Sequence, residues 1–205
     1  MINIGVLISG SGTNLQSIID EIEEGKISGR IRVVISNRKD AYGLIRAKKA
    51  GIEALYIDKK KFDSEEEFNR KIIEELSKRE VELVVLAGYL SILSEEFIEK
   101  YKGRIINIHP SLIPSFCGKG CYGDRVHRMV LDRGVKLTGA TVHFVDEGTD
   151  TGPIILQRAV EVKEDDTVES LKERVLKVEH QLLPEAIRLF CEGRLAIEGR
   201  KVRIK

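Results

Sequence analysis

Tryptophan is absent from this chain, and cysteine occurs only three times. So few cysteines, odd in number, argue against a disulfide framework and suit a reducing compartment. No apolar run approaches the roughly 18 residues of a membrane span. The chain enters a strand pattern at once (Met-Ile-Asn-Ile-Gly-Val-Leu-Ile), without the basic and apolar segments of a signal peptide. A cytoplasmic protein with no membrane association is therefore expected. Charge of neither sign dominates, since the net charge is +1, and nothing global points to nucleic acid. No Pro/Gly/Ser-rich linker or internal repeat divides the 205 residues, so a single domain over residues 1–205 is expected.

What is present is concentrated in residues 104–114, Arg-Ile-Ile-Asn-Ile-His-Pro-Ser-Leu-Ile-Pro. Ile105, Ile106 and Ile108 suit an interior strand of a parallel sheet. Asn107 interrupts that run and His109 ends it, where Pro110 stops further pairing. Ligands of open α/β sheets gather at the carboxyl ends of strands, which is where these two polar side chains fall. A core Asn and a capping His that only satisfy backbone groups remain the plain alternative.

The rest of the first half alternates strand and helix. Residues 2–8 read as a strand, followed by Ser9-Gly10-Ser11-Gly12-Thr13-Asn14 and a helix with Leu15, Ile18, Ile19 and Ile22 on one face. A Gly-rich turn at a helix start presents backbone N–H groups to an anion, most naturally a phosphate. Thr13 and Asn14 add side-chain donors; a tight turn with a helix cap is the alternative. A dinucleotide fits less well, because Leu15 replaces the third glycine of the fingerprint and the strand at 31–35 ends in Ser36-Asn37 rather than an acid. A helix over 41–50, a short strand over 53–57 and a capping box at Ser64–Glu67 opening a third helix follow. The strongly apolar strand at 81–87 breaks at Gly88-Tyr89. Leu90, Ile92 and Leu93 then lie in a loop, either plugging the sheet or lining a pocket for a flat ligand. A helix over 94–102 leads into the central stretch.

Beyond Pro114, residues 115–123 form a Gly-rich surface loop, and a short helix over 125–133 follows. Its Cys117 and Cys121, with His127, do not make a standard zinc arrangement, and no metal is expected. Residues 137–145 alternate as a strand with Thr141 and His143 on one face. An acidic turn, 146–152, holds Asp150 and leads into a partner strand over 153–162. The longest helix spans 166–190, with Val168, Leu171, Val175, Val178 and Leu182 as its buried stripe, and a hairpin closes the chain at 195–204. The fold class is α/β: a doubly wound, mostly parallel sheet with an antiparallel C-terminal extension.

An Asn and a His at one strand end, an Asp in a loop and a phosphate cradle together suit acyl transfer. Asn107 and a protonated His109 supply donors to an oxyanion, each worth about 2.7–4 kcal/mol in the transition state. Asp150, close to His109, would raise the imidazole pKa. No serine sits in a strained nucleophile elbow, so direct transfer between bound substrates is favoured over an acyl-enzyme.

The sequence resembles the phosphoribosylglycinamide formyltransferases of purine biosynthesis, which use 10-formyltetrahydrofolate. The matching segments are Leu-Ile-Ser-Gly-Ser-Gly-Thr-Asn-Leu-Gln16, Val-Val-Leu-Ala-Gly-Tyr89, Ile-Asn-Ile-His-Pro-Ser-Leu-Ile-Pro114, Thr-Val-His-Phe-Val145 and Gly-Pro-Ile-Ile-Leu-Gln157. The His-Pro-Ser-Leu segment is shared by several folate formyltransferases; the Ser-Gly-Ser-Gly-Thr-Asn loop narrows the likeness to the ribonucleotide enzymes. The resemblance implies a Rossmann-like formyltransferase fold, with residues 1–103 as the phosphate-binding half and 104–205 as the catalytic and folate-binding half. It implies Asn107, His109 and Asp150 as the catalytic trio. Gly12, Thr13, Asn14, Gly88, Pro110 and Glu179 fall on ribonucleotide contacts, and Leu90, Ser91, Ile92 and Leu93, with Asn107, on folate contacts. The implied partners are these small-molecule substrates alone, with no metal, no nucleic acid and no membrane, in a monomer or homodimer.

The chain departs from the family pattern at Ser91 and Glu65, where an Arg is frequent, and in the longer loop after Pro114. These differences bear on the folate tail, not on the trio. The competing readings are a formyltetrahydrofolate hydrolase and a non-catalytic sensor of phosphosugar or folate.

Overall fold

Strand β1 (Ile2–Ile8) buries Ile4, Val6, Leu7 and Ile8 completely. Consecutive buried residues point to opposite faces of a strand, so both faces are covered. The computed structural model describes residues 1–205, which divide into two compact units, Met1–Ile106 and Asn107–Lys205.

In the first unit β1 leads to α1 (Thr13–Glu23), β2 (Gly29–Ser36), α2 (Tyr42–Lys49), β3 (Ala54–Tyr56), a 3-10 turn (Lys59–Lys61), α3 (Glu65–Ser77), β4 (Leu83–Leu86) and α4 (Glu95–Lys100). Its strands pair in parallel in the order β3-β2-β1-β4. Gly5 marks a register shift between β1 and β2, and a Cβ there would meet Leu76 of α3 at 2.5 Å. The helix at α3 starts as expected, with Ser64 accepting the Glu67 N–H at 3.1 Å. The reciprocal half of the expected capping box is displaced, however. Glu67 accepts the Asp63 N–H at 3.1 Å instead of that of Ser64.

Strand β5 (Ile105–His109) crosses the division, with Ile105 and Ile106 ending the first unit and Asn107 opening the second. The second unit continues with α5 (Asp124–Arg133), β6 (Leu137–Phe144), β7 (Ile154–Glu161), α6 (Val168–Cys191), β8 (Leu195–Glu198) and β9 (Lys201–Ile204). Here β6 pairs antiparallel with β7, β7 pairs parallel with β9, and β9 pairs antiparallel with β8. The expected α/β class, mostly parallel with antiparallel strands toward the C-terminus, is what forms.

Helix α6 opens on a full capping box between Thr167 and Ser170. Leu171, Val175 and Leu182 are buried as the periodicity predicts, but Glu179 is buried where Val178 was expected. The helix runs on through Pro184. No helix is long and apolar enough to cross a membrane.

Candidate active site

Asn107 and His109 stand two residues apart on β5, so both side chains leave the same face of the strand. His109 is 4% exposed. Asp150 reaches it from the loop between β6 and β7, in a left-handed conformation (φ 58°) that Asp tolerates better than most residues. Its Oδ2 lies 3.5 Å from His109 Nδ1 and accepts the Gly118 N–H at 2.9 Å. His109 Nε2 lies 2.9 Å from the Phe116 carbonyl. A carbonyl only accepts, so Nε2 carries the proton and Nδ1 is the nitrogen turned to the carboxylate.

Burial lowers the His109 pKa by more than Asp150 and the Phe116 carbonyl raise it, and His143 lowers it further. This corrects the expectation of a raised value: Asp150 acts in the expected direction, but desolvation outweighs it. Burial also pushes the Asp150 carboxyl up, yet the hydrogen bonds and charges around it hold it below its ordinary value.

The sequence analysis placed His143 on a strand face and gave it no role. In the structure His143 is buried, and a bulge between Val142 and His143 interrupts the β6–β7 register. Its Nδ1 lies 2.8 Å from the Phe144 carbonyl and so carries the proton, which leaves Nε2 to accept from Asn107 Nδ2 at 3.1 Å. The same Nε2 is 3.7 Å from Asp150 Oδ1. His143 thus fixes which way the Asn107 amide faces and leaves that amide a second N–H for a ligand. We class it as a positioning residue. His143→Phe, which keeps the bulk and removes the acceptor, is expected to lower kcat by roughly ten- to a hundredfold with little change in KM. His143→Gln, which restores an acceptor, is expected to recover part of the loss; an equal loss in both variants would mean a purely structural role.

The segment after His109 is fastened from two strands. Thr141 Oγ1 donates to the Ser111 carbonyl at 2.7 Å and accepts the Ile113 N–H at 3.1 Å. Gln157 donates to the Ile113 carbonyl and to Thr141 Oγ1, both at 2.9 Å. Ser111 Oγ donates to the Ser115 carbonyl at 2.6 Å, with the Phe116 carbonyl 3.3 Å away. On the Asp150 side, Asp146 accepts from Gly148 N–H at 3.1 Å and Thr151 Oγ1 at 2.5 Å. A Cβ on Gly152 would collide with the Phe144 carbonyl, so glycine is required where that loop closes.

In the first unit, Gly12 is the N-cap of α1, in the left-handed region (φ 71°) with no side-chain cap bond. A Cβ on Gly12 would meet Gly43 Cα at 2.5 Å, so the loop and α2 pack backbone on backbone. Gly43 N–H donates to the Gly10 carbonyl at 3.1 Å, and Arg46 Nε donates to the Ser11 carbonyl at 2.9 Å. Thr13 and Asn14 then lead the helix, with Asn14 buried. Arg46 had no signal in the sequence, because its contact is to a backbone carbonyl.

The segment expected to meet folate is tied to the ends of β1 and β2. Ser9 N–H donates to the Gly88 carbonyl at 3.1 Å, and Ser9 Oγ accepts the Leu90 N–H at 2.9 Å and donates to Asn37 Oδ1 at 2.7 Å. Asn37 Nδ2 in turn donates to Ser91 Oγ at 2.7 Å. Leu90 and Ile92 are 54% and 70% exposed, whereas Leu93 is buried and packs into the core. Buried Asn69 holds the end of this segment, accepting the Ser94 N–H at 3.2 Å. Glu65 is ion-paired with Lys59.

In the second unit, Pro110 follows His109 directly and Glu179 is buried on α6. His127, on α5, is buried with Nδ1 lacking a hydrogen-bond partner, and burial pushes its pKa down to about 4. As pH falls below 6.5 the unfolded chain takes up a proton that the folded His127 refuses, so stability drops with acidification. About 2 kcal/mol should be lost between pH 7.5 and pH 5 in denaturant titrations, and His127→Leu should flatten that slope.

Three comparisons bear on this arrangement. The formyl transferase family model matches residues 2–187. The chain is 44% identical over 193 residues to the phosphoribosylglycinamide formyltransferase of Escherichia coli, covering 94% of this chain and 89% of that one. It is 44% identical over 196 residues to the chicken (Gallus gallus) trifunctional purine biosynthetic protein adenosine-3, where the match covers 96% of this chain but 19% of that longer protein. Among solved structures, glycinamide ribonucleotide transformylase 1 from Symbiobacterium toebii superposes with a TM-score of 0.95 at 54% identity, covering 100% of this chain and 94% of that one. By fold, by motif and by identity along its length, the chain belongs to the formyl transferase family, among the phosphoribosylglycinamide formyltransferases.

Proposed function

We propose that the protein transfers the formyl group of 10-formyltetrahydrofolate to the amine of glycinamide ribonucleotide, in de novo purine biosynthesis. The products are formylglycinamide ribonucleotide and tetrahydrofolate. The observation that carries this reading is the cluster of His109, Asp150, His143 and Asn107, an imidazole and an oriented amide beside a half-buried carboxylate.

The amine attacks the formyl carbon, and the carbonyl oxygen becomes an oxyanion. Asn107 meets that charge with its second N–H. The new ammonium sheds a proton to His109 Nδ1, where an imidazolium is favoured by Asp150. His109 passes the proton to N10 as the carbon–nitrogen bond to the folate breaks, so no acyl-enzyme and no metal is required. The phosphate of the ribonucleotide is assigned to Gly12, Thr13 and Asn14, its glycinamide arm to Gly88 and Pro110, and its sugar end to Glu179. The folate is assigned to residues 90–93 with Asn107. Exposed Leu90 and Ile92 support an apolar contact there, and Ser91 is held to Asn37 rather than offering a charge. We infer a cytoplasmic enzyme, monomeric or homodimeric, acting on small molecules only.

Mass spectrometry of the ribonucleotide after incubation with 10-formyltetrahydrofolate tests the assignment. One formyl group in place of an amine hydrogen is expected. An unchanged ribonucleotide with free formate would mean a hydrolase, and no consumption of either ligand would mean a binding protein.

A further inference from the structure

Two thiols that the transfer reaction does not use stand in the loop that holds His109 and Asp150. Cys117 lies between Phe116, whose carbonyl accepts from His109, and Gly118, whose N–H donates to Asp150. Cys121 closes a turn over the next residues, its N–H donating to the Gly118 carbonyl at 3.0 Å. Gly118 and Gly120 take φ of 90° and 84°, a backbone open to rearrangement at low cost. Both cysteines are free and partly exposed. Burial, and after it the charges of Asp150 and Cys121, push the Cys117 thiol up.

We propose that Cys117 and Cys121 form a reversible disulfide, made by a peroxide and opened by a dithiol, that switches the catalytic site off. In the reduced loop Cys117 Sγ donates to the Pro114 carbonyl at 3.2 Å. Bridging to Cys121 takes the Cys117 proton, and with it this hydrogen bond to Pro114. In this proposal the peptides on either side of Cys117 turn with it, and they carry the Phe116 carbonyl and the Gly118 N–H. His109 loses the partner of Nε2, and Asp150 loses a donor. Phe116 already sits at φ 51°, so this part of the backbone depends on those contacts to keep its shape.

The chemistry balances with hydrogen peroxide as oxidant. The Cys121 thiolate attacks one peroxide oxygen, a sulfur–oxygen bond forms, the oxygen–oxygen bond breaks and hydroxide leaves. The Cys117 thiol then attacks the sulfenic sulfur, the sulfur–sulfur bond forms and the sulfur–oxygen bond breaks, and the thiol proton leaves with the hydroxide as water. The two thiols lose two electrons, and the peroxide gains them. A dithiol reverses the bridge by exchange.

This inference rests on the reading of Asn107, His109 and Asp150 as catalytic, so its test has a readout independent of activity. The full chain is reduced, treated with hydrogen peroxide and split with trypsin. Lys119 lies between the two cysteines, so a bridge holds together two peptides that otherwise separate. Formyl transfer is measured on the same samples. The expected result is a fall in rate of at least about tenfold that tracks the bridged peptide and reverses with dithiothreitol. Cys121→Ser, and separately Cys117→Ser, should keep their rate after peroxide. No bridged peptide, a bridged enzyme with an unchanged rate, or equal loss in the serine variants would overturn the proposal. A reduced enzyme with no transfer activity would instead overturn the function assigned above, while the peptide map still decides whether the bridge forms.

Discussion

Replacing His109 by alanine is expected to lower kcat by about a thousandfold, the combined loss of a proton carrier and of a charge that steadies the oxyanion. The KM for the ribonucleotide should change little, since the phosphate is assigned to other residues and the lost interaction forms only in the transition state. Asp150→Asn keeps the shape and an acceptor for the Gly118 N–H at 2.9 Å. It removes the carboxylate that favours the imidazolium, and about a hundredfold loss in kcat is expected. Steady-state kinetics on both variants check this. Losses that appear in KM, or a matching fall in thermal stability, would assign the two residues to structure instead of chemistry.

The second large effect is expected at Gly12. Alanine there must hold a left-handed conformation, costing about 1–2 kcal/mol, and its Cβ would meet Gly43 Cα at 2.5 Å. The loop has to move away from α2, and the KM for the ribonucleotide should rise by more than about tenfold, with a smaller change in kcat at saturation. Gly10 is the internal control. A Cβ on Gly10 has nothing within 4 Å, so Gly10→Ala should be close to neutral in packing. If both substitutions raised KM equally, close packing on Gly43 would not be what shapes the cradle.

The fold was legible because hydrophobic periodicity carries it. The unbroken apolar run of β4, the largely apolar β1 and the alternation of strand with helix identify a parallel sheet with both faces covered. Less was legible at the site, for a definite physical reason. Asn107, His109 and Asp150 have side chains that stand out in an apolar or acidic context. The groups that hold them are mostly backbone: the Phe116 carbonyl, the Gly118 N–H and the Phe144 carbonyl. Backbone groups belong to every residue and leave no mark in a sequence. His143 was visible only as sharing a strand face with Thr141, since its role depends on a bulge that periodicity does not encode. The direction of the His109 pKa was missed because it is a contest between burial and a nearby carboxylate, and a sequence reports the second but not the extent of the first. At α6 the buried stripe was drawn through Val178, but Glu179 is the residue enclosed. A charged residue gives no hydrophobic signal for its own burial.

The central claim is that the ribonucleotide amine, not water, accepts the formyl group. The most direct test follows tetrahydrofolate release from 10-formyltetrahydrofolate by absorbance, with and without glycinamide ribonucleotide. Release that depends on the ribonucleotide, one folate per amine formylated, is the predicted result. Release at the same rate without the ribonucleotide would contradict the account and identify water as the acceptor.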